Sequence, residues 1–186
     1  MVLADRKALL SCLLAAAFVA GACGGEATPP AQQRVDGTKE SPKPKAPVAD
    51  PAGAAEANGF GTKVAWRKFD VAMDEAKASG KPLMMVVHTS WCGRCKALKP
   101  SFSRDEVVEL SKKFVMVNVD QDRVPAAEAY TPDGSYIPRV LFFSPEGELD
   151  TEITNSRGGK YSYFYVPQDD LTQSMNKALE RHAKTG

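Results

Sequence analysis

Two rhythms of apolar and polar positions alternate through the last two-thirds of the chain. Phe69, Ala72, Met73 and Ala76 recur at three- and four-residue spacing, which gathers them on one helix face, and Gly80-Lys81-Pro82 stops that helix. Residues 83–88 (LMMVVH) and 114–119 (FVMVNV) are short apolar runs of the kind that fill strands buried on both faces. Between them a helical pattern runs from a cysteine pair through Leu98 and is interrupted at Pro100, and residues 105–113 (DEVVELSKK) read as a second helical stretch. A long polar loop follows to Tyr136. Residues 139–143 and 149–154 then flank the turn Ser144-Pro145-Glu146-Gly147 and read as a hairpin. Residues 169–183 form the last helix, with Leu171, Met175, Ala178 and Leu179 on one face and Asp169 or Asp170 placed to cap it. Residues 64–66 add a candidate edge strand.

This order of elements predicts an α/β domain, a mixed central sheet with helices on both faces. Trp66 and Phe142 are assigned to its core. Tyr161, Tyr163 and Tyr165 alternate, which on a strand puts them on one face, either packed or offered to a partner.

The front of the chain follows neither rhythm. Arg6 and Lys7 precede an apolar run over residues 8–22, too short for a comfortable bilayer crossing, which takes about 20 residues, and shaped like an export signal. Ala20-Gly21-Ala22 suits an ordinary signal-peptidase cut. Followed by Cys23, the same residues resemble the lipobox of bacterial lipoproteins, with Ala20 where that pattern usually has Leu. Lipidation is the favoured reading, because an exported free thiol beside a redox site invites mispairing. Residues 26–58 are rich in Pro and Ala and contain no aromatic residue, the composition of a disordered tether. The expected organisation is therefore a signal peptide over 1–22, a lipid-attachment cysteine and tether over 23–58, and a folded domain over 59–186. Such a protein sits on the periplasmic side of a bacterial membrane (the outer membrane if Gram-negative), or is soluble after export if Cys23 stays free.

Composition narrows the partners. The 186 residues include 24 Lys and Arg against 23 Asp and Glu, a balance that offers no argument for nucleic acid. Four cysteines are too few for a disulfide scaffold, and Cys12 leaves with the signal.

That leaves Cys92 and Cys95 in Trp91-Cys92-Gly93-Arg94-Cys95, directly after a predicted strand and at the start of a predicted helix. At a helix N-terminus the unpaired N–H groups and the dipole favour negative charge, which makes Cys92 the better thiolate and hence the nucleophile. Cys95 lies one turn further on the same face, within disulfide reach, and can resolve a mixed disulfide formed at Cys92. Gly93 and Arg94, between them, are expected to tune the pair, Arg94 through its positive charge. Three other readings compete. A structural bridge closing so short a loop constrains the unfolded chain little. A zinc site needs four ligands, and the histidines, His88 and His182, are far apart in sequence, so no metal is expected. An inert buried pair conflicts with a helix start at the surface. The redox reading is preferred, and it needs no cofactor.

With these residues in view, the stretch from about Phe60 to Lys184 resembles the thioredoxin fold. It looks most like the small endoplasmic-reticulum thioredoxin-domain proteins related to the anterior-gradient group. The resemblance rests on KPLMMVVHTSWCGRCKALKP, FVMVNVD, TPDGSYIPRVLFFSPEGEL and YSYFYV, which keep their order along the domain. It implies a thioredoxin-like fold and a thiol–disulfide oxidoreductase with Cys92 as nucleophile and Cys95 as resolving thiol. It also implies that Ile137-Pro138 is the cis-proline site facing the dithiol, with the Ile137 backbone available to a substrate peptide. By the same resemblance Pro100 kinks the active-site helix. Trp91 either touches substrate or packs at the helix start. Three features depart from the pattern: Val86 stands where many relatives bury an acid, Arg94 replaces a more usual residue, and Ala183-Lys184-Thr185-Gly186 is not a retention tail. His88, nearby, reads as a structural strand histidine that is also capable of accepting a proton.

Two functions follow from this reading. One is an exported oxidoreductase acting on protein substrates that carry thiols or disulfides, with its redox partner protein open. The other is a chaperone or adaptor of the same fold that binds client chains without redox turnover.

Overall fold

A computed structural model describes residues 51–182. The signal, Cys23 and the tether as far as residue 50 lie outside the described residues. Four strands form one sheet in the order β1-β3-β2-β4, with β1 at Trp66–Arg67, β2 at Leu83–His88, β3 at Val115–Asp120 and β4 at Arg139–Phe143. The pairs β1–β3 and β3–β2 are parallel, and β4 runs antiparallel to β2. The sheet is mixed, as its sequence predicts.

Helix α1 (Phe69–Ser79) covers one face and ends on Gly80, which is left-handed at φ 65° and donates its N–H to the Ala76 carbonyl. Ala72 and Ala76 pack there with Leu83, Met85 and Val87 of β2. Helices α2 (Gly93–Leu98), α3 (Asp105–Ser111) and α4 (Leu171–His182) cover the other face. There Leu98, Val107, Leu171 and Met175 meet Met84 and Val86. Strand β2 is buried at all six positions, which is why it reads as an unbroken apolar run. Pro100 ends α2, and the chain tightens into a 3-10 turn over Lys99–Ser103. Of the two candidate caps for α4, Asp170 is the one used: its Oδ1 accepts from the Gln173 N–H at 2.9 Å.

Four expectations are corrected. The edge strand lies at Trp66–Arg67 and not at 64–66. The hairpin keeps its turn but not its second strand. After a single bridge between Phe143 and Leu149, Asp150 turns the chain by accepting the Glu152 N–H on Oδ1 at 3.0 Å. The three tyrosines do not share a face. Tyr163 joins the α1 side of the core and Tyr165 the opposite side, where its hydroxyl donates to Ser174 Oγ, while Tyr161 stays exposed. Their segment pairs with β4 at an isolated bridge of Arg139 to Phe164, where the Val140 N–H donates to the Tyr163 carbonyl at 2.9 Å. Finally, the domain begins earlier than residue 59. Ala54 bridges Arg67, Ala55 N–H donates to the Trp66 carbonyl at 2.9 Å, and Ala55 and Ala57 pack on the core. This segment covers the open edge of β1, and its small side chains let it lie close.

Candidate functional site

Strand β2 ends at His88, and Thr89, Ser90 and Trp91 carry the chain to Cys92, the N-cap of α2. Cys92 has extended backbone angles (φ −68°, ψ 113°), so its sulfur points back over the first helical turn. There Cys92 Sγ accepts the Cys95 N–H at 3.0 Å, taking one of the donors a helix start leaves unpaired. Cys92 and Cys95 are joined as a disulfide with their Cα atoms 5.3 Å apart. Cys95 is fully buried and Cys92 keeps a sliver of exposure, 6%. An incoming thiolate therefore reaches the Cys92 sulfur first.

The loop before β4 closes over the pair. The Ile137–Pro138 peptide is cis, and the Ile137 carbonyl oxygen lies 4.0 Å from Cys92 Sγ. On the other flank Trp91 is 67% exposed, and its Nε1 donates to Asp122 Oδ2 at 2.7 Å. Gly93 and Arg94 form the outer surface between the cysteines. Both are exposed, and a methyl group at Gly93 would meet no atom within 4 Å. The fold thus gathers Trp91, Cys92, Gly93, Arg94, Cys95, Ile137 and Pro138 at one end of β2 and β4.

Two residues absent from the sequence reading complete this surroundings. Asp122 anchors the Trp91 ring. Arg139 is completely buried and holds the loops together: Nε donates to the Tyr130 carbonyl at 3.0 Å, Nη1 to the Tyr136 carbonyl at 2.6 Å, and Nη2 to Gln121 Oε1 at 3.2 Å. Burial pulls its guanidinium below the usual value, opposed by the charges of Glu128 and Asp133. The only sequence signal for Arg139 was a charged residue directly ahead of the apolar run VLFF. Tyr136 is fixed as well, through its hydroxyl to Asp133 and from the Tyr163 N–H at 3.1 Å. Burial first, and then Asp133, raise its phenol well above the ordinary range.

Behind the disulfide, Val86 is buried on the face that α2 covers, and His88 follows two residues later on the same face. The other histidine, His182, lies at the end of α4 with Nε2 2.9 Å from Asp150 Oδ2, in a separate cluster. Among the described residues no three His, Cys, Asp or Glu side chains gather as a metal site.

Comparison with known proteins agrees with this geometry. Residues 65–145 match the thioredoxin-like family. Anterior gradient protein 3 of Mus musculus is 33% identical over 129 residues, 65% of this chain and 74% of that protein. The Xenopus tropicalis protein of the same name is 35% identical over 65% of this chain and 75% of its own length. The Homo sapiens anterior gradient protein 2 homolog is 33% identical over 66% and 70%. Among solved structures, one titled DsbH oxidoreductase is 18% identical, with 73% of this chain and 93% of that one aligned at a TM-score of 0.47. A disulfide-forming CxxC pair on a thioredoxin-like domain is the equipment of a thiol–disulfide oxidoreductase.

Proposed function

Because the chain belongs to the thioredoxin-like family, with the anterior gradient proteins among its relatives, we propose that it is an exported thiol–disulfide oxidoreductase acting on protein substrates through Cys92 and Cys95. The observation that carries this reading is the asymmetry of the pair. Cys92 caps a helix and borders the Ile137 carbonyl at 4.0 Å, while Cys95 is sealed beneath it.

In the reducing direction the Cys92 thiolate attacks a substrate disulfide. One substrate sulfur leaves with the electron pair and the other stays bonded to Cys92. Cys95 then attacks Cys92 Sγ, closes the internal disulfide and releases the second substrate thiolate. The oxidising direction is the reverse. The Cys95 N–H and the helix start favour the Cys92 thiolate in both. The Ile137 backbone offers strand-like pairing to an extended substrate segment beside Pro138, and Trp91 supplies an apolar wall on the opposite flank.

Export through residues 1–22, lipid attachment at Cys23 and a tether from it complete the proposal. These place the domain on the outer side of a bacterial membrane. The export pattern and Ala22-Cys23 support this part. Detergent-phase partitioning that persists in Cys23→Ser removes the lipid anchor from the proposal.

The deciding experiment is trapping. Cys95→Ser accumulates a covalent adduct with substrate proteins, and Cys92→Ser does not. Equal trapping by both, or by neither, overturns the assigned roles. The exposed rings of Trp91 and Tyr161 favour a second reading, client binding without turnover. A double Cys92→Ser/Cys95→Ser variant that suppresses aggregation as well as the parent, with no insulin reduction by either, selects that reading.

A further inference from the structure

His88 is 98% buried, and neither ring nitrogen makes a hydrogen bond of good geometry, although the Asn118 side chain and the Thr89 backbone lie close enough to act on the ring. A histidine retained inside a core for structural reasons normally spends at least one nitrogen on a partner, since a buried polar group left unsatisfied forfeits the hydrogen bonds it would make to water. The nearest polar side chain, Asn118, spends its hydrogen bonds of good geometry elsewhere. Asn118 Nδ2 donates to the Glu56 carbonyl at 3.0 Å, and Asn118 Oδ1 accepts from Asn58 at 2.7 Å.

The location of the ring is specific. His88 is the last residue of β2 and packs on Phe60 with centroids 4.7 Å apart. Lys99 Nζ sits 5.2 Å over that same Phe60 ring. Lys99 follows Cys95 by four residues, one turn along the same face, and its N–H donates to the Cys95 carbonyl, so a ring beside Phe60 is on the α2 side of the sheet. Cys95 needs a base there. Its thiol is wholly buried, and an uncharged thiol is a poor nucleophile. Val86, two residues before His88 on the same face, is buried in the cluster that Leu98 of α2 joins, and its alkyl side chain has no site that can take up a proton.

We propose that His88 is the proton acceptor for the Cys95 thiol during resolution of the mixed disulfide. As Cys95 Sγ bonds to Cys92 Sγ, its proton passes to an unpartnered nitrogen of His88, and the bond from Cys92 to the substrate sulfur breaks with the electron pair on the leaving thiolate. The leaving group takes its proton from solvent, and His88 returns its own to solvent afterwards. In the oxidising direction the imidazolium protonates Cys95 as the internal disulfide opens.

Four polar neighbours set the proton balance at the ring: Asn118 and Asp120 on β3, Lys99 after α2, and the Thr89 backbone. Burial lowers the basicity of His88, and Lys99 adds to this, whereas Asn118, Asp120 and Thr89 oppose it. The ring is therefore neutral and able to accept at pH 7. Asn118 and Asp120 also line an open cleft of about 380 Å³, with Phe69, Arg123 and Val124 on its walls, which gives the proton a way out.

The inference rests on the dithiol chemistry proposed above but not on its protein substrates, so its test uses a small aromatic disulfide, 5,5′-dithiobis(2-nitrobenzoic acid). The reduced protein releases one nitrothiolate when Cys92 attacks and a second when Cys95 resolves. In His88→Gln the first release keeps its rate, while the second falls about 10- to 100-fold at pH 7. The pH midpoint of the second release moves from below the ordinary imidazole value, about 6.5, toward that of a free thiol, about 8.5. An unchanged second release, or equal loss of both, overturns the proposal. Should His88→Gln fail to fold, the His88 ring is titrated by NMR in the oxidised and reduced wild-type protein. A difference between the two supports the coupling to Cys95, and identical titrations refute it. Protein substrates that turn over with a second release indifferent to His88 leave the oxidoreductase reading standing and sink this one. A His88-dependent second release without any protein turnover does the opposite.

Discussion

Trp91 Nε1 donates to Asp122 Oδ2 across 2.7 Å, so the most exposed large ring of the domain is tied to the loop after β3. The bond fixes the ring beside Cys92 without burying it, leaving its face to the approaching substrate. Asp122→Ala frees the indole, and about 1 kcal/mol of preorganisation is lost. The expected result is a several-fold rise in KM for protein substrates. Turnover of a small disulfide, which needs no apolar wall, stays unchanged. Equal loss on both would mean that the bond supports the fold and not the substrate surface.

Arg139 carries a heavier load. Its guanidinium is buried among two carbonyls and the Gln121 amide, and among the described residues no carboxylate pairs with it directly. Arg139→Met strands all three acceptors, and the expected cost is about 3 kcal/mol or more, read by urea unfolding of the oxidised domain. Arg139→Lys keeps the charge but cannot satisfy three diverging acceptors, so it rescues only part of the loss.

These two residues mark the limit of what the chain reveals before folding. Helix α1 and strands β2 and β3 were legible because their signals are local: one apolar face closed by Gly80, and runs buried on both sides. The Cys92–Cys95 site was legible from its place between a strand and a helix. The strand expected over 149–154 was not, because its alternation conceals Asp150, whose side chain captures the Glu152 N–H and bends the backbone. Arg139 was not singled out as a site residue, because its partners come from loops up to 18 residues away. His88 read as structural because a sequence does not show whether a ring nitrogen finds a partner.

Asp150 gives the domain an acid-sensitive clasp. Burial pushes its carboxyl up, but Arg181 Nε at 2.6 Å, the Glu152 N–H and the neighbouring His182 outweigh it, and the net displacement is downward from 3.8. A depressed folded-state value contributes stability that is present above the unfolded value and lost as pH falls through the folded one. Unfolding free energy of the wild type should therefore decline from about pH 4 downward. In Asp150→Asn the same limb is shallower, and the two curves approach each other at the acid end. Parallel curves would mean that Asp150 titrates alike in both states.

The segment before Phe60 makes the last prediction. Lys68 N–H donates to the Gly53 carbonyl at 2.8 Å, Lys68 Nζ to Ala52 O at 2.9 Å, and the Glu56 and Asn58 groups meet Asn118. Removing residues up to 58 leaves the Asn118 amide buried without those partners and opens the edge of β1. A chain beginning at residue 59 should be less stable than one beginning at residue 50 by about 2–4 kcal/mol, a handful of hydrogen bonds at 0.5–1.5 kcal/mol each. It should also associate through the exposed edge. Urea midpoints and sedimentation of the two chains measure both effects. Equal midpoints would assign residues 51–58 to the tether after all. A loss confined to the shorter chain and rescued by Asn118→Val would trace the cost to the stranded amide, since the valine removes the unsatisfied group while filling similar space.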